Sequence, residues 1–114
     1  MRNLIYLFAT VFLLAASASY AGCEFTEAPP VIPDGATATE ADMLAAQSAI
    51  KTYMEHSNKY LECLAGEATA AGEADTPEAI AARDAAHNGA VDAQQALADS
   101  FNAQIRAWKA QSAE

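Results

Sequence analysis

The sequence is short of positive charge: six lysines and arginines stand against fifteen acidic residues, a net charge of −9 over 114 residues. A chain so poor in basic groups has no face with which to neutralise nucleic-acid phosphates. It also lacks the polybasic cluster that holds proteins to anionic lipid. No GxSxG, HExxH, CxxC or glycine-rich phosphate loop occurs in it, so the usual signatures of hydrolase, metalloprotease, thiol-redox and nucleotide chemistry are missing. Cysteine is confined to Cys23 and Cys63, tryptophan to Trp108, and no proline follows Pro77. There is no internal repeat. The length fits one domain, and 53% hydrophobic with 18% charged residues is not the composition of a disordered chain.

What is present begins with residues 1–21, which read as an export signal. Arg2 gives the positive start, Leu4 to Ala16 is uncharged and almost wholly apolar, and Ser19 and Ala21 suit cleavage before Gly22. The apolar run is shorter than the roughly 20 residues a membrane span needs. A rival cleavage exists, because Tyr20-Ala21-Gly22-Cys23 is similar to a bacterial lipobox in which Cys23 would carry lipid. Tyr20 stands there where an aliphatic residue is usual. Removing residues 1–21 leaves 93, with all fifteen acids and five of the six basic groups, a net charge of −10. The remainder contains 25 alanines and few large apolar residues.

In an oxidising compartment, Cys23 and Cys63 are expected to form a disulfide. Lipidation of Cys23 and a reactive thiol are the alternatives. Reach permits the bridge. Cys63 lies roughly 35 Å along a helix that starts near residue 40, and the intervening strap can extend roughly 50 Å. Residues 22–38, with Pro29, Pro30, Pro33 and the turn signal Asp34-Gly35, form a proline-rich extended segment. Val31 and Ile32 are its burial candidates.

Residues 39–114 read as a helical hairpin, with helices over about 40–66 and 77–112. Thr39 caps the first, with Glu40 and Asp42 at its positive end. Met43, Ala46, Ile50, Tyr53, Ser57, Tyr60 and Leu64 give it one stripe, broadened by Met54 and Leu61. The helix is expected to weaken from Gly66 to Gly72. Thr76 caps the second helix, with Pro77 in its first position and Glu78 at the dipole. Its expected stripe is Ile80, Asp84, His87, Val91, Gln94, Ala98, Phe101, Ile105 and Trp108, with Leu97 beside it. A turn near residues 72–73 sets Leu64 against Ile80, Ser57 near His87, Ile50 near Gln94 and Met43 near Phe101. The fold class is all-α, an antiparallel two-helix hairpin with a disulfide-linked N-terminal strap. Two helices make a thin core, which the strap, the disulfide or a second copy must complete.

Few constellations carry chemistry. His56 and His87 fall within about one turn of each other on that register, near Glu55, Asp84 and Asp92, which makes a metal site conceivable. Polar-seam histidines are the plainer expectation. Tyr53 and Tyr60 are expected to pack. Phe101, Ile105 and Trp108 form a possible partner contact, with burial under the strap as the alternative. Asn102, Gln104 and Arg106 offer polar groups beside the same seam. Glu73, Asp75 and Glu78 surround the turn as solvating charge, too loosely grouped for calcium. No catalytic residue, cofactor site or metal site is assigned.

Cys23, Pro33-Asp34-Gly35-Ala36-Thr37-Ala38-Thr39, Asp42-Met43, Tyr60-Leu61-Glu62-Cys63-Leu64 and Phe101-Asn102-Ala103-Gln104-Ile105-Arg106 resemble an uncharacterised family of small exported proteobacterial helical proteins. The resemblance spans most of the chain after residue 21. It implies export and this architecture, and it brings no activity. The expected function is non-enzymatic: a periplasmic or secreted interaction or structural module that binds a protein partner or itself. Alternatives are an outer-membrane lipoprotein anchored through Cys23, with membrane contact only in that case, and a metal-binding hairpin.

Overall fold

The computed structural model describes residues 22–113, so the expected export signal over 1–21 lies outside the described residues. Helix α1, Glu40–Ala71, and helix α2, Pro77–Ser112, run antiparallel and are joined by a 3-10 turn, Gly72–Ala74, and two extended residues. No strand occurs among the described residues.

Both helix starts follow from local chemistry. The Thr39 hydroxyl accepts from the Asp42 N–H at 3.1 Å, and the Asp42 carboxylate accepts from the Thr39 N–H at 2.9 Å. This capping box satisfies two otherwise orphaned donors. The backbone hydrogen bond from Thr39, then that residue's side chain, holds the Asp42 carboxyl below the ordinary aspartate range. At α2, the Thr76 hydroxyl accepts from the Ala79 N–H at 3.1 Å, with Pro77 in the first turn.

The end of α1 differs from the sequence expectation. The helix passes through Gly66 and continues to Ala71, where Gly72 at φ 50° stops it. The alanines around Gly66 are strong helix formers and outweigh one exposed glycine. Gly66 and Gly89 both sit in open space on their helices. Replacing each by alanine is therefore expected to stabilise the protein, by about 0.5–1 kcal/mol per site. A rise in the urea midpoint of the double variant checks this.

The longer α1 and the 3-10 turn move the hairpin register. Ser57 meets Gln94, whose amide donates to the Ser57 hydroxyl at 2.9 Å and to the Asn58 side chain at 2.9 Å. The expected pairing of Ser57 with His87 is displaced by seven residues, about two turns or 10 Å. The inner face of α2 differs from the expected stripe in its first half. Ile80 is 44% exposed, and Asp84 and His87 are exposed. Ala79, Arg83, Ala86 and Ala90 turn inward in that first half instead, while from Val91 onward the expected residues Val91, Gln94, Ala98, Phe101, Ile105 and Trp108 are half-buried beside Leu97, which lies in the core. Arg83 is drawn inward by its ion pair with Asp75.

The core is as thin as the composition implies: Ala38, Met43, Ala46, Tyr53, Leu64 and Leu97, with Ser57 completely buried. Residues 22–38 supply the missing layer. Cys23 and Cys63 are disulfide-bonded with Cα atoms 5.8 Å apart. Phe25 packs edge-on to Tyr53 at 5.4 Å and stacks on Tyr60 at 5.6 Å between ring centroids. The strap then crosses to the open end of the hairpin. There the Asp34 carbonyl accepts from the Ala38 N–H at 2.9 Å, closing a turn. That turn docks on α2: the Gly35 N–H donates to Gln104 at 2.8 Å, and the Gln111 amide donates to the carbonyls of Gly35 and Ala38 at 2.7 and 2.8 Å. Of the two burial candidates on the strap, Ile32 is half-buried and Val31 is 92% exposed. The strap is held by Phe25 and by main-chain polar groups, which a search for apolar residues does not register.

Candidate functional site

The open end of the hairpin carries a groove of about 310 Å3 lined by Glu40, Met43, Leu44 and Gln47 of α1 and by Phe101, Ile105 and Trp108 of α2. Helical spacing of three and four places Phe101, Ile105 and Trp108 on one side of α2. The register sets Met43 and Leu44 opposite them. No strap residue lines this groove, because the strap engages α2 through Gln104 and Gln111. Phe101, Ile105 and Trp108 are half-buried, and Leu44 is 57% exposed at the rim. The strap meets this part of α2 through Gly35, which lies against the main chain of Gln104 and Trp108, so the burial under the strap expected as the alternative does not close the groove.

A second groove, about 400 Å3, lies beside the disulfide and is lined by Cys23, Glu24, Phe25, Thr26, Glu27, His56, Lys59, Tyr60 and Cys63. His56 Nδ1 lies 2.6 Å from the Glu27 carboxylate. His56 therefore serves to hold the strap, while His87 is exposed on α2 and displaced along it by the register. The structure does not bring the two histidines into one candidate ligand group. Among the described residues, the potential metal ligands that come together are Cys23, Cys63 and Glu67, whose ligand atoms all lie within 4.8 Å of one another.

The remaining candidates have structural partners. Tyr53 and Tyr60 receive Phe25. Asp75 pairs with Arg83, with one oxygen buried and otherwise unpartnered, while Glu73 and Glu78 are exposed. Gln104 binds the strap, whereas Asn102 and Arg106 point to solvent. Phe25, Glu27, Glu67 and Gln111 were not singled out from the sequence. Only the position of Phe25, two residues after Cys23, offered a signal: a bridge to Cys63 delivers it to Tyr60, one turn earlier on α1. Among the described residues, no helix is long and apolar enough to cross a membrane. No family model matches the chain, and no curated protein or solved structure matches it.

Proposed function

We propose that this protein is a non-enzymatic exported module that binds another protein through the open end of its hairpin. The groove of Phe101, Ile105 and Trp108 opposite Met43 and Leu44 carries this reading. It is apolar, rimmed by Glu40 and Gln47, and centred on a tryptophan, the residue type most enriched at binding hot spots. An apolar side chain presented by a helix of the partner fits its chemistry, since the groove runs between two antiparallel helices. The disulfide supports an oxidising destination such as the periplasm or the exterior. It also occupies the Cys23 sulfur that lipid attachment would require, which favours the soluble form over the anchored one.

The test is site-specific photocrosslinking in the native host, with the probe at Leu44 or at the exposed Asn88 on the far part of α2. A discrete protein adduct from Leu44 and none from Asn88 is the expected result. Identical patterns from both sites, or none from Leu44, would overturn the reading. Intact mass of the same purified protein checks export: a chain beginning at Gly22 and lacking two hydrogens is expected, and a diacylglycerol adduct on Cys23 would refute it.

A further inference from the structure

The residues that fasten the strap combine soft and hard metal-ligand chemistry at one point. Cys63 and Glu67 lie one turn apart on α1 and so project from the same face. Cys23 arrives from the strap, and its backbone N–H donates to the Glu67 carboxylate at 3.0 Å. That hydrogen bond engages one oxygen of Glu67 and fixes the carboxylate beside both sulfurs.

We infer that Cys23, Cys63 and Glu67 form a binding site for a zinc-like divalent cation when the disulfide is reduced. The strap is then closed onto α1 by a sulfur–sulfur bond in the oxidised protein and by a metal ion in the reduced one. Reduction by a thiol breaks the S–S bond. Two thiol molecules give up two electrons and two protons, joining as a disulfide, and Cys23 and Cys63 become thiols. The cation then displaces both thiol protons to solvent and forms two metal–sulfur bonds and one bond to a Glu67 oxygen, with water in the fourth position.

The geometry suits this coordination. Tetrahedral zinc holds two sulfurs at about 2.3 Å each, which places them about 3.8 Å apart. Rotation of the two cysteine side chains, on Cα atoms 5.8 Å apart, supplies that separation. The carboxylate is already within reach of both sulfurs. Two thiolates and one carboxylate select zinc or cadmium over magnesium or calcium, which prefer all-oxygen shells. The adjoining groove opens onto Cys23 and Cys63 and gives the ion a path from solvent. His56 borders that groove but is committed to Glu27.

Cadmium provides the probe, because its thiolate bonds absorb in the ultraviolet. The protein is purified oxidised, reduced anaerobically with a water-soluble phosphine, and separated from the reductant before metal is added. Titration is expected to give one cadmium per chain with the thiolate absorption, reversed by a large excess of zinc, and no such signal from oxidised protein. Glu67→Gln keeps both cysteines and their bridge, so it can be folded oxidised and reduced in the same way. Its cadmium affinity is expected to fall at least about tenfold, with the thiolate absorption retained at saturation. No saturable signal from the reduced protein would overturn the site. So would an unchanged affinity in Glu67→Gln, since the carboxylate would then be no ligand.

Discussion

Replacing Cys23 and Cys63 together by alanine is expected to cost about 4 kcal/mol of stability, the largest single effect in this protein. The bridge spans a sequence separation of 40 residues. Closing a loop of that length removes about 4 kcal/mol of chain entropy from the unfolded state. Domains of this size are stable by only about 5–15 kcal/mol in total, so the variant should melt on the order of 20 °C lower. The helices keep their capping interactions at Thr39 and Thr76 and should persist. Denaturant unfolding of the oxidised protein and the double variant measures the difference, and circular dichroism reports the helix content. A loss below about 1 kcal/mol would mean that the strap holds without its covalent tie.

Gly35→Ala is expected to destabilise by about 3 kcal/mol, although Gly35 does not have a positive φ. The reason is proximity. A methyl group on Gly35 would collide with the Gln104 carbonyl oxygen, and it would sit 2.8 Å from the Gln104 carbonyl carbon and 3.0 Å from the Trp108 nitrogen. These are main-chain atoms inside α2, which cannot move aside as a side chain would. The turn must lift, which breaks the hydrogen bonds from Gly35 to Gln104 and from Gln111 to Gly35 and Ala38. The disulfide still holds the other end of the strap. Urea denaturation of the oxidised variant, with amide exchange at Gly35 and Ala38, separates local lifting from global loss. A neutral Gly35→Ala would show that the turn does not rest on α2 this closely. The sign is opposite to that expected at Gly66 and Gly89, where nothing adjoins the glycine.

Features set by neighbours in sequence were legible without coordinates. Thr39, Thr76 and Pro77 announce helix starts because capping involves residues two or three apart. The disulfide was within reach by chain-length arithmetic. Register was not legible, because it depends on where α1 stops and how the connection turns. A shift of a few residues there moved Gln94 into the place expected for His87. The inward row of α2 was hidden for another reason. Ala79, Ala86 and Ala90 face inward, yet alanine occurs all around this helix and gives periodicity little contrast. Phe101, Ile105 and Trp108 were identifiable as a group from helical spacing alone. Met43 of the opposite wall was already set near Phe101 by the expected register, whereas Leu44, outside the expected stripe of α1, was not. The amides that dock the strap, Gln104 and Gln111, look in sequence like any polar helix surface.

The pairing of Gln94 with the wholly buried Ser57 bears on how such a seam chooses one alignment. Along Ala79, Ala86 and Ala90 of α2 the inward side chains are small and alike, so this stretch by itself discriminates weakly between alignments. A misaligned hairpin would bury the Ser57 hydroxyl against a side chain unable to donate to it, at a penalty of about 1–3 kcal/mol. One serine and one glutamine thus act as a notch and pawl, adding a polar penalty for misalignment to the packing of Met43, Tyr53, Leu64 and Leu97.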